Sequence, residues 1–314
     1  MKIAFVGMGS IGKRHLRNVR RYLTEKEIPC TIDLYRSGDS ALESDIQALA
    51  DRELLLGVGC KIAETYDVVF ITNPTALHEE TVRRFAPFTG SMFIEKPVFA
   101  RTNVDLKQMA LHSKGIYYVA CPLRYHPVIQ YVMKHIPLET VYAARAISSS
   151  YLPDWRPNVD YRTCYSAHRE MGGGVDIDLI HEWDYLCRMF GPVRQGFSIR
   201  NHISGLEIDS VDIAVYIAQA EHTVLELHLD YFGRYPIRTL QLFLPEETIS
   251  CDLLNAIVKY EREGKEISFS ADRNAYQADE IRHFFEILDG TRENDSTIED
   301  ALRALRYAQG DFSR

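Results

Sequence analysis

Three glycines near the start of the chain have the spacing Gly7-x-Gly9-x-x-Gly12, between a short apolar segment and a helix-like stretch. In such a turn the first glycine allows a tight bend, the second lets the backbone approach a pyrophosphate, and the third lets the helix pack closely on the strand. The helix N-terminus then faces the phosphates. We predict a dinucleotide-binding turn with these cofactor-binding residues: Gly7, Met8, Gly9, Ser10, Ile11 and Gly12.

The tip of the second strand indicates which dinucleotide binds, because an Asp or Glu there would hold the ribose 2′-hydroxyl of NAD. With Ile32 and Leu34 pointing into the sheet, the tip falls on Arg36, which Ser37 follows. A guanidinium suits a 2′-phosphate. We therefore predict that Arg36 and Ser37 bind the cofactor, that NADP is favoured and that NAD is possible. The alternative is that Asp33 is the ribose acid, although alternation places it within the strand.

Length, charge and composition exclude several classes of protein. The 314 residues are enough for two domains, and 46% of them are hydrophobic. The net charge of −8 and the lack of long Lys/Arg runs argue against a nucleic-acid partner. No stretch reaches the length of a membrane span, and Met1 leads directly into an apolar strand, so we expect no membrane partner and a cytoplasmic location.

Six cysteines occur without a Cys-x-x-Cys pair, which predicts buried free thiols and no metal site. They are Cys30, Cys60, Cys121, Cys164, Cys187 and Cys251.

Strands and helices alternate over residues 1–122 in the manner of a doubly wound parallel sheet. Buried strands are predicted over 67–72, 91–94 and 116–120, and helices over 78–88 and 102–113. Ligands of such sheets lie beyond the carboxyl ends of the strands. The residues at or next to these ends are therefore predicted to bind the cofactor: Thr72, Asn73, Pro74, His78, Glu95 and Lys96.

The remainder of the chain, 123–314, is rich in β-segments joined by short turns. Strands are predicted over 139–150, 193–203, 208–219, 222–232 and 237–245, and helices over 125–135, 175–189, 274–289 and 297–308. The predicted fold class is thus α/β: an N-terminal Rossmann doubly wound parallel sheet and a C-terminal α+β domain with an open, mostly antiparallel sheet. One face of that open sheet has no helical cover, which predicts a homodimer or tetramer through it.

Five motifs occur in order: Gly7-x-Gly9-x-x-Gly12, Asn73-Pro74-Thr75-x-x-His78, Glu95-Lys96-Pro97, Arg124-x-x-Pro127 and Gly172-Gly173-Gly174-x-x-x-Asp178-x-x-His181-x-x-Asp184. With these motifs the sequence resembles the Gfo/Idh/MocA oxidoreductase family, named for glucose–fructose oxidoreductase and inositol dehydrogenase. The resemblance covers essentially the whole chain. The resemblance implies NAD(P)-dependent hydride transfer to or from a hydroxyl or keto carbon of a sugar, polyol or sugar derivative. The implied partner is a small carbohydrate-like substrate.

This chemistry requires a group that takes the hydroxyl proton and returns it in the reverse direction. His181 is the catalytic candidate because imidazole titrates near neutrality. Asp178, three residues earlier on one predicted helix, would share its face and support it. Many relatives place this acid four residues before the histidine, so the spacing departs from their pattern. Lys96 would polarise the reacting oxygen, and Pro97 would fix the chain after it.

The long segment 151–170 combines aromatic and polar residues, which is typical of a functional loop. Its side chains could stack on a sugar and bind a phosphate or carboxylate, or the loop could be a structural flap. The predicted substrate-binding residues are Arg124, Trp155, Arg156, Tyr161, Arg162 and His181. For Arg124 a hinge role is the alternative. The sequence of this region resembles that of a branch of the family found in surface-polysaccharide and acidic-sugar pathways. This resemblance points to an amino or nucleotide-linked sugar.

Two other functions are compatible with the same motifs. One is an NAD-dependent glycoside hydrolase that retains its nucleotide, and the other is a non-catalytic dinucleotide-binding sensor. The presence of both Lys96 and His181 argues against the sensor.

Overall fold

The computed structural model describes residues 1–38, 41–57 and 61–313. The chain divides into two compact units, Met1–Pro122 with Arg273–Leu302, and Leu123–Asp272 with Arg303–Arg314. Residues 273–302, which the sequence analysis assigned to a continuous second domain, thus cluster with the first unit.

The regular elements are numbered in chain order. The helices are α1 (Ser10–Glu25), α2 (Ser44–Gln47), α3 (His78–Phe85), α4 (Pro127–His135), α5 (Val175–Asp178), α6 (His181–Phe190), α7 (Arg273–Leu288) and α8 (Ile298–Ala308). The strands are β1 (Lys2–Val6), β2 (Thr31–Arg36), β3 (Arg52–Leu55), β4 (Val68–Ile71), β5 (Ser91–Ile94), β6 (Ile116–Val119), β7 (Ala143–Tyr151), β8 (Gln195–Asn201), β9 (Ile213–Gln219), β10 (Val224–Asp230), β11 (Phe232–Phe243), β12 (Thr248–Asp252), β13 (Ile257–Tyr260) and β14 (Lys265–Ser268).

The first unit contains a parallel sheet with strand order β3-β2-β1-β4-β5-β6. Its central strands are apolar on both faces because helices cover both, as in other doubly wound sheets. Leu16 and Val19 of α1 lie on one face with Phe284 of α7, which completes this core. This packing explains why α7 belongs to the first unit. The predicted doubly wound sheet is confirmed.

The helix predicted over 102–113 does not form, and the segment contains only a 3₁₀ turn at Leu106–Met109. The side chain of Asp105 accepts a hydrogen bond from the backbone N–H of Lys107 and begins the turn. Ala110 then adopts a left-handed backbone with φ of 53°, which ends the turn. Local backbone chemistry therefore outweighs the amphipathic pattern here.

The second unit contains an eight-stranded sheet with the order β14-β13-β12-β11-β7-β10-β9-β8. All neighbours are antiparallel except β7 and β10, which confirms the expected mostly antiparallel sheet. One face is buried, while the other carries exposed apolar side chains, among them Phe197, Ile199 and Ile217.

Two further predictions for this unit need correction. The single helix predicted over 175–189 is interrupted at Leu179 and Ile180, so that α5 ends at Asp178 and α6 begins at His181. The strand predicted over 208–219 begins only at Ile213. Asp212 is fully buried and accepts backbone hydrogen bonds from Ile203 and Ser204, which holds the preceding residues in a turn.

Two general features of the described residues are relevant to function. The cysteines among them, Cys30, Cys121, Cys164, Cys187 and Cys251, are free thiols, while Cys60 lies outside the described residues. Within the described part of the chain, no helix has the length and apolarity needed to cross a bilayer.

Candidate functional site

The glycine turn after β1 has the geometry expected of a dinucleotide site. Gly7 has a φ of 95°, and a Cβ added there would lie 2.5 Å from the Cα of Asn73. A Cβ on Gly12 would lie 2.5 Å from the carbonyl oxygen of Gly7. The strand, the turn and α1 are therefore packed too closely for side chains at these two positions.

Gly9 differs from the other two because a Cβ there would meet no atom of the described residues within 4 Å. Gly9 precedes α1, no side chain caps the helix, and its first turn contains no acidic residue. A helix N-terminus that protein side chains leave open fits an anionic pyrophosphate. Ser10 is exposed at this end of α1, whereas Met8 and Ile11 are half-buried.

The residues after β4 hold the glycine turn through side-chain hydrogen bonds. Thr72 donates hydrogen bonds from its hydroxyl to the carbonyl oxygens of Val6 and Gly7, at 3.1 and 2.8 Å. Asn73 donates from its amide nitrogen to Thr81 at 2.8 Å. Its buried amide oxygen has no hydrogen-bond partner among the described residues, so it is available as an acceptor. Pro74 is exposed beside it.

His78 connects the ends of β4 and β5. Its Nε2 lies 2.9 Å from the carbonyl oxygen of Asn73, and its Nδ1 lies 3.1 Å from those of Pro97 and Val98. Burial lowers the pKa of His78, so the ring is neutral and donates toward one side only. His78 is 1% exposed, and its ring contacts the neighbouring backbone. Its predicted contact with the cofactor stays a prediction.

Glu95, at the end of β5, is held by a residue that sequence reasoning missed. Its Oε1 lies 2.5 Å from Nε2 of His15 on α1, and its Oε2 accepts from the backbone N–H of Lys96 at 3.1 Å. Burial favours the neutral acid, but the His15 contact and the charge of Lys96 hold the pKa of Glu95 below its ordinary value. His15 is fully buried, and its position one turn after Gly12 on the same helix face could have indicated this.

Lys96 follows directly and is half-buried. The peptide bond between Lys96 and Pro97 is cis. The backbone N–H of Lys96 is engaged by Glu95 and the carbonyl of Pro97 by His78. This segment is therefore fixed on both sides of the bond.

The end of β2 carries two oppositely charged side chains. Arg36 is 9% exposed and its Nη1 donates to Oε1 of Glu53 on β3. Asp33, the alternative ribose acid, is 1% exposed and accepts two hydrogen bonds from Arg52 at 2.8 and 2.6 Å. Asp33 is thus already engaged inside the sheet. Ser37 is exposed.

In the second unit, Asp178 is buried at the end of α5 and accepts a hydrogen bond from the hydroxyl of Tyr231 at 2.5 Å. Tyr165 also hydrogen-bonds to Asp178, and burial together with that carboxylate raises the pKa of Tyr165. Both hydroxyls therefore stay protonated as donors. Tyr231 was missed because no local pattern marks the residue after β10 as special.

His181 is half-buried at the first position of α6. The interruption at Leu179 and Ile180 places His181 and Asp178 on two successive helices, so the continuous helix on which their shared face was predicted does not form.

Arg124 is 7% exposed and forms two hydrogen bonds with Asp184 of α6, at 2.8 and 2.5 Å. Its carbonyl oxygen accepts from the amide of Gln130. A buried, doubly bonded ion pair of this kind fixes the start of α4 against α6. The geometry thus favours the structural alternative for Arg124 over direct substrate binding.

The residues of the long loop separate into two groups. Trp155 donates from its ring N–H to Ser150 at 2.9 Å and packs edge-on against Tyr231, and exposed Arg156 lies over the ring of Tyr165. These residues adjoin Asp178.

Arg162 pairs with Asp160 and Glu207, and the hydroxyl of Tyr161 accepts from the backbone N–H of Glu207. This second group is engaged with its own loop and with the segment before β9. In the described part of the chain, no cluster of three or more His, Cys, Asp or Glu side chains could hold a metal ion.

Residues 1–120 match the family model GFO_IDH_MocA, which is described as an oxidoreductase family with an NAD-binding Rossmann fold. The chain is 25% identical over 227 residues to the uncharacterized oxidoreductase YrbE of Bacillus subtilis, covering 67% of this chain and 61% of that protein. It is 30% identical over 132 residues to inositol 2-dehydrogenase of Agrobacterium fabrum, covering 40% of this chain and 38% of the relative. The alignments thus span less than two thirds of each curated relative.

Among solved structures, the WlbA dehydrogenase from Bordetella pertussis in complex with NADH and UDP-GlcNAcA superposes with a TM-score of 0.78. The superposition covers 99% of this chain and 95% of that one at 17% sequence identity. At this identity the similarity concerns the fold.

Proposed function

We propose that this chain, whose first 120 residues match the Gfo/Idh/MocA family model, is an NAD(P)-dependent oxidoreductase acting on a hydroxyl or keto carbon of a sugar derivative. The observation that carries the proposal is the open space at Gly9 before the uncapped N-terminus of α1. That arrangement fits the pyrophosphate of a dinucleotide. The nicotinamide cofactor, when bound, accepts or supplies the hydride.

In this proposal the first unit binds the cofactor and polarises the reacting oxygen. The backbone N–H groups at the start of α1 hold the pyrophosphate, and the amide oxygen of Asn73 is available as an acceptor at the end of β4. Lys96 directs its ammonium to the substrate oxygen and stabilises the alkoxide that develops there. His15 and Glu95 fix the backbone from which Lys96 extends.

His181 carries the hydroxyl proton as base in oxidation and as acid in reduction. Asp178 supports His181 with its carboxylate, which Tyr165 and Tyr231 hold by hydrogen bonds. Because those two hydroxyls remain protonated, both donate hydrogen bonds to the Asp178 carboxylate.

We further propose an amino or nucleotide-linked sugar as the substrate. The WlbA complex with UDP-GlcNAcA supports this class through the shared fold. In the long loop, Trp155 and Tyr165 offer ring surfaces and exposed Arg156 offers a cation for a phosphate or carboxylate. Arg124, Arg162 and Tyr161 are already engaged within the protein, so we assign them to support of the loop and of α6.

For the cofactor, the charge of Arg36 favours the 2′-phosphate of NADP, while NADH in the WlbA complex supports NAD as an alternative. Free thiols among the described cysteines support a reducing location such as the cytoplasm.

We also propose a homodimer or tetramer through the open sheet face. Phe197 and Ile217 are register partners on β8 and β9 and are 68% and 59% exposed, which favours a second copy as cover.

The proposal is tested with a panel of sugars and nucleotide sugars, following nicotinamide absorbance at 340 nm, together with mass detection of any retained nucleotide. Turnover with stoichiometric nicotinamide reduction or oxidation is expected. Cleavage of a glycoside without net absorbance change would instead support the hydrolase alternative. Nucleotide binding without turnover of any kind would support the sensor.

Variants test the assigned roles. His181→Ala and Lys96→Ala should each lower turnover by roughly a hundredfold, while the affinity for the dinucleotide is nearly unchanged. Asp178→Asn should fall between the wild type and His181→Ala. Turnover of the wild type should depend on a group that titrates near neutrality, and this dependence should vanish in His181→Ala. Near-wild-type turnover of His181→Ala would contradict the role of His181.

A further inference from the structure

The ion pair between Arg36 and Glu53 lies where the adenosine end of a dinucleotide is recognised. β2 and β3 pair so that Leu34 faces Glu53 and Arg36 faces Leu55. Residues two apart on a strand share a face, and Leu34 is buried in the core that contains Leu16 of α1. Arg36 and Glu53 therefore lie on the α1 face of the sheet, at the strand whose tip meets the adenosine ribose.

Asp33 and Arg52 form a separate pair on the other face. Besides its two hydrogen bonds from Arg52, Asp33 accepts a third from the hydroxyl of Tyr66 at 2.7 Å. Tyr66 packs in the core on the face of the sheet opposite α1. Asp33 is thus removed from the adenosine side. Glu53, whose side chain is 35% exposed, is a carboxylate in contact with Arg36 among the described residues.

The two dinucleotides differ at this place in charge and in hydrogen bonding. A 2′-phosphate carries close to two negative charges at pH 7. To pair with it, Arg36 must leave Glu53 or share its guanidinium with a carboxylate that repels the phosphate. The 2′-hydroxyl of NADH brings no charge and can donate to a carboxylate, which is the role of the acid in the usual fingerprint.

We propose that Glu53 is a cofactor-specificity residue, which holds Arg36 and lowers the preference for NADPH over NADH that Arg36 alone would confer. The inference rests on the proposed function to the extent that a nicotinamide dinucleotide binds at the glycine turn. Glu53 supplies, from the neighbouring strand, the carboxylate that the tip of β2 lacks.

The test measures dissociation constants for NADH and NADPH by equilibrium titration of nicotinamide fluorescence, without substrate. In Glu53→Gln the ratio of the NADH to the NADPH dissociation constant should rise roughly three- to tenfold over the wild type, mainly through tighter NADPH binding. Glu64→Gln is the matched control. Its side chain is 36% exposed and pairs with Arg52, so removing the same charge there should leave the ratio within about twofold.

A double-mutant cycle shows whether the effect passes through Arg36. In Arg36→Gln, adding Glu53→Gln should raise the ratio by no more than about twofold, because only the direct effects of Glu53 on the 2′-group are then removed. Thermal unfolding followed by circular dichroism checks that each variant is folded. If Glu53→Gln is unstable, Glu53→Asp, which has a shorter side chain, replaces it and should raise the ratio less.

An unchanged ratio in Glu53→Gln, or a gain that is equally large without Arg36, would overturn the inference and leave the proposed function intact. If the wild type bound neither nucleotide, the proposed function would fail, and the role of Glu53 with it.

Discussion

The contact between His15 and Glu95 allows a quantitative test of how the end of β5 is held. Glu95 is 8% exposed, and its Oε1 lies 2.5 Å from Nε2 of fully buried His15. His15→Leu leaves the carboxylate without this donor, whereas in His15→Gln the amide N–H reaches nearly the same position. Neither replacement titrates, so the comparison of the two variants isolates one hydrogen bond.

A hydrogen bond to a charged group contributes about 1.5–3 kcal/mol. We therefore expect the free energy of unfolding of His15→Leu to be roughly 2 kcal/mol below that of His15→Gln at pH 7. An uncompensated buried carboxylate is the physical reason for the loss.

The difference should depend on pH with a defined sign. In the wild type, burial raises the pKa of Glu95, but His15 and Lys96 outweigh it and bring the pKa below the usual value of 4.5. A carboxyl with a depressed folded pKa stabilises the fold above its unfolded pKa, and this stability is lost as the pH falls through the folded pKa. In His15→Leu, burial prevails and the pKa rises. The gap between the variants should therefore shrink on acidification through the range around pH 4.5, to roughly 1 kcal/mol for a neutral hydrogen bond.

Urea unfolding at pH 7, 5 and 4, followed by far-ultraviolet circular dichroism, measures this gap. Both tryptophans, Trp155 and Trp183, lie in the second unit. Their fluorescence therefore serves as an internal control that the substitution in the first unit should affect less. Equal stabilities at pH 7, or a gap that does not change with pH, would refute the reasoning.

Two further predictions concern the glycine turn and the open sheet. Gly9→Ala should leave the urea midpoint nearly unchanged, because its Cβ meets no atom of the described residues within 4 Å. The same substitution should weaken NADH and NADPH binding alike by about tenfold, and unimpaired binding would contradict the pyrophosphate assignment. Gly12→Ala should lower stability as well. Ile217 is 59% exposed on the open face, so Ile217→Lys should shift sedimentation toward the monomer. The control Ala271→Lys, in the exposed segment after β14, should leave sedimentation unchanged. A wild type that sediments as a monomer at micromolar concentration would exclude the proposed assembly.

Features with local causes were predictable from the sequence. The glycine turn and the buried strands follow from spacing and apolar runs, and both agree with the observed sheet. Arg36 was correctly expected at the end of β2, because alternation alone determines it.

Features that depend on distant partners were not predictable in this way. Glu53 became a neighbour of Arg36 only through strand pairing, and Tyr231 reached Asp178 across 53 positions of sequence. The break between α5 and α6 also lacks a Pro or Gly signal at Leu179 and Ile180. His15 is different, because its spacing from Gly12, Leu16 and Val19 already indicates the buried face of α1.

The membership of α7 in the first unit has a consequence for synthesis of the protein. Phe70 and Phe93 of the central strands pack against Phe284. When the ribosome has completed residues 1–122, this face of the sheet has α1 but still lacks the part of its cover that α7 supplies, and about 150 residues of the second unit emerge before α7 does. The first unit therefore reaches its full packing late, and a fragment cut at residue 122 would expose an aromatic surface to aggregation. The boundary of the matched family model at residue 120 is thus not the boundary of a folding unit.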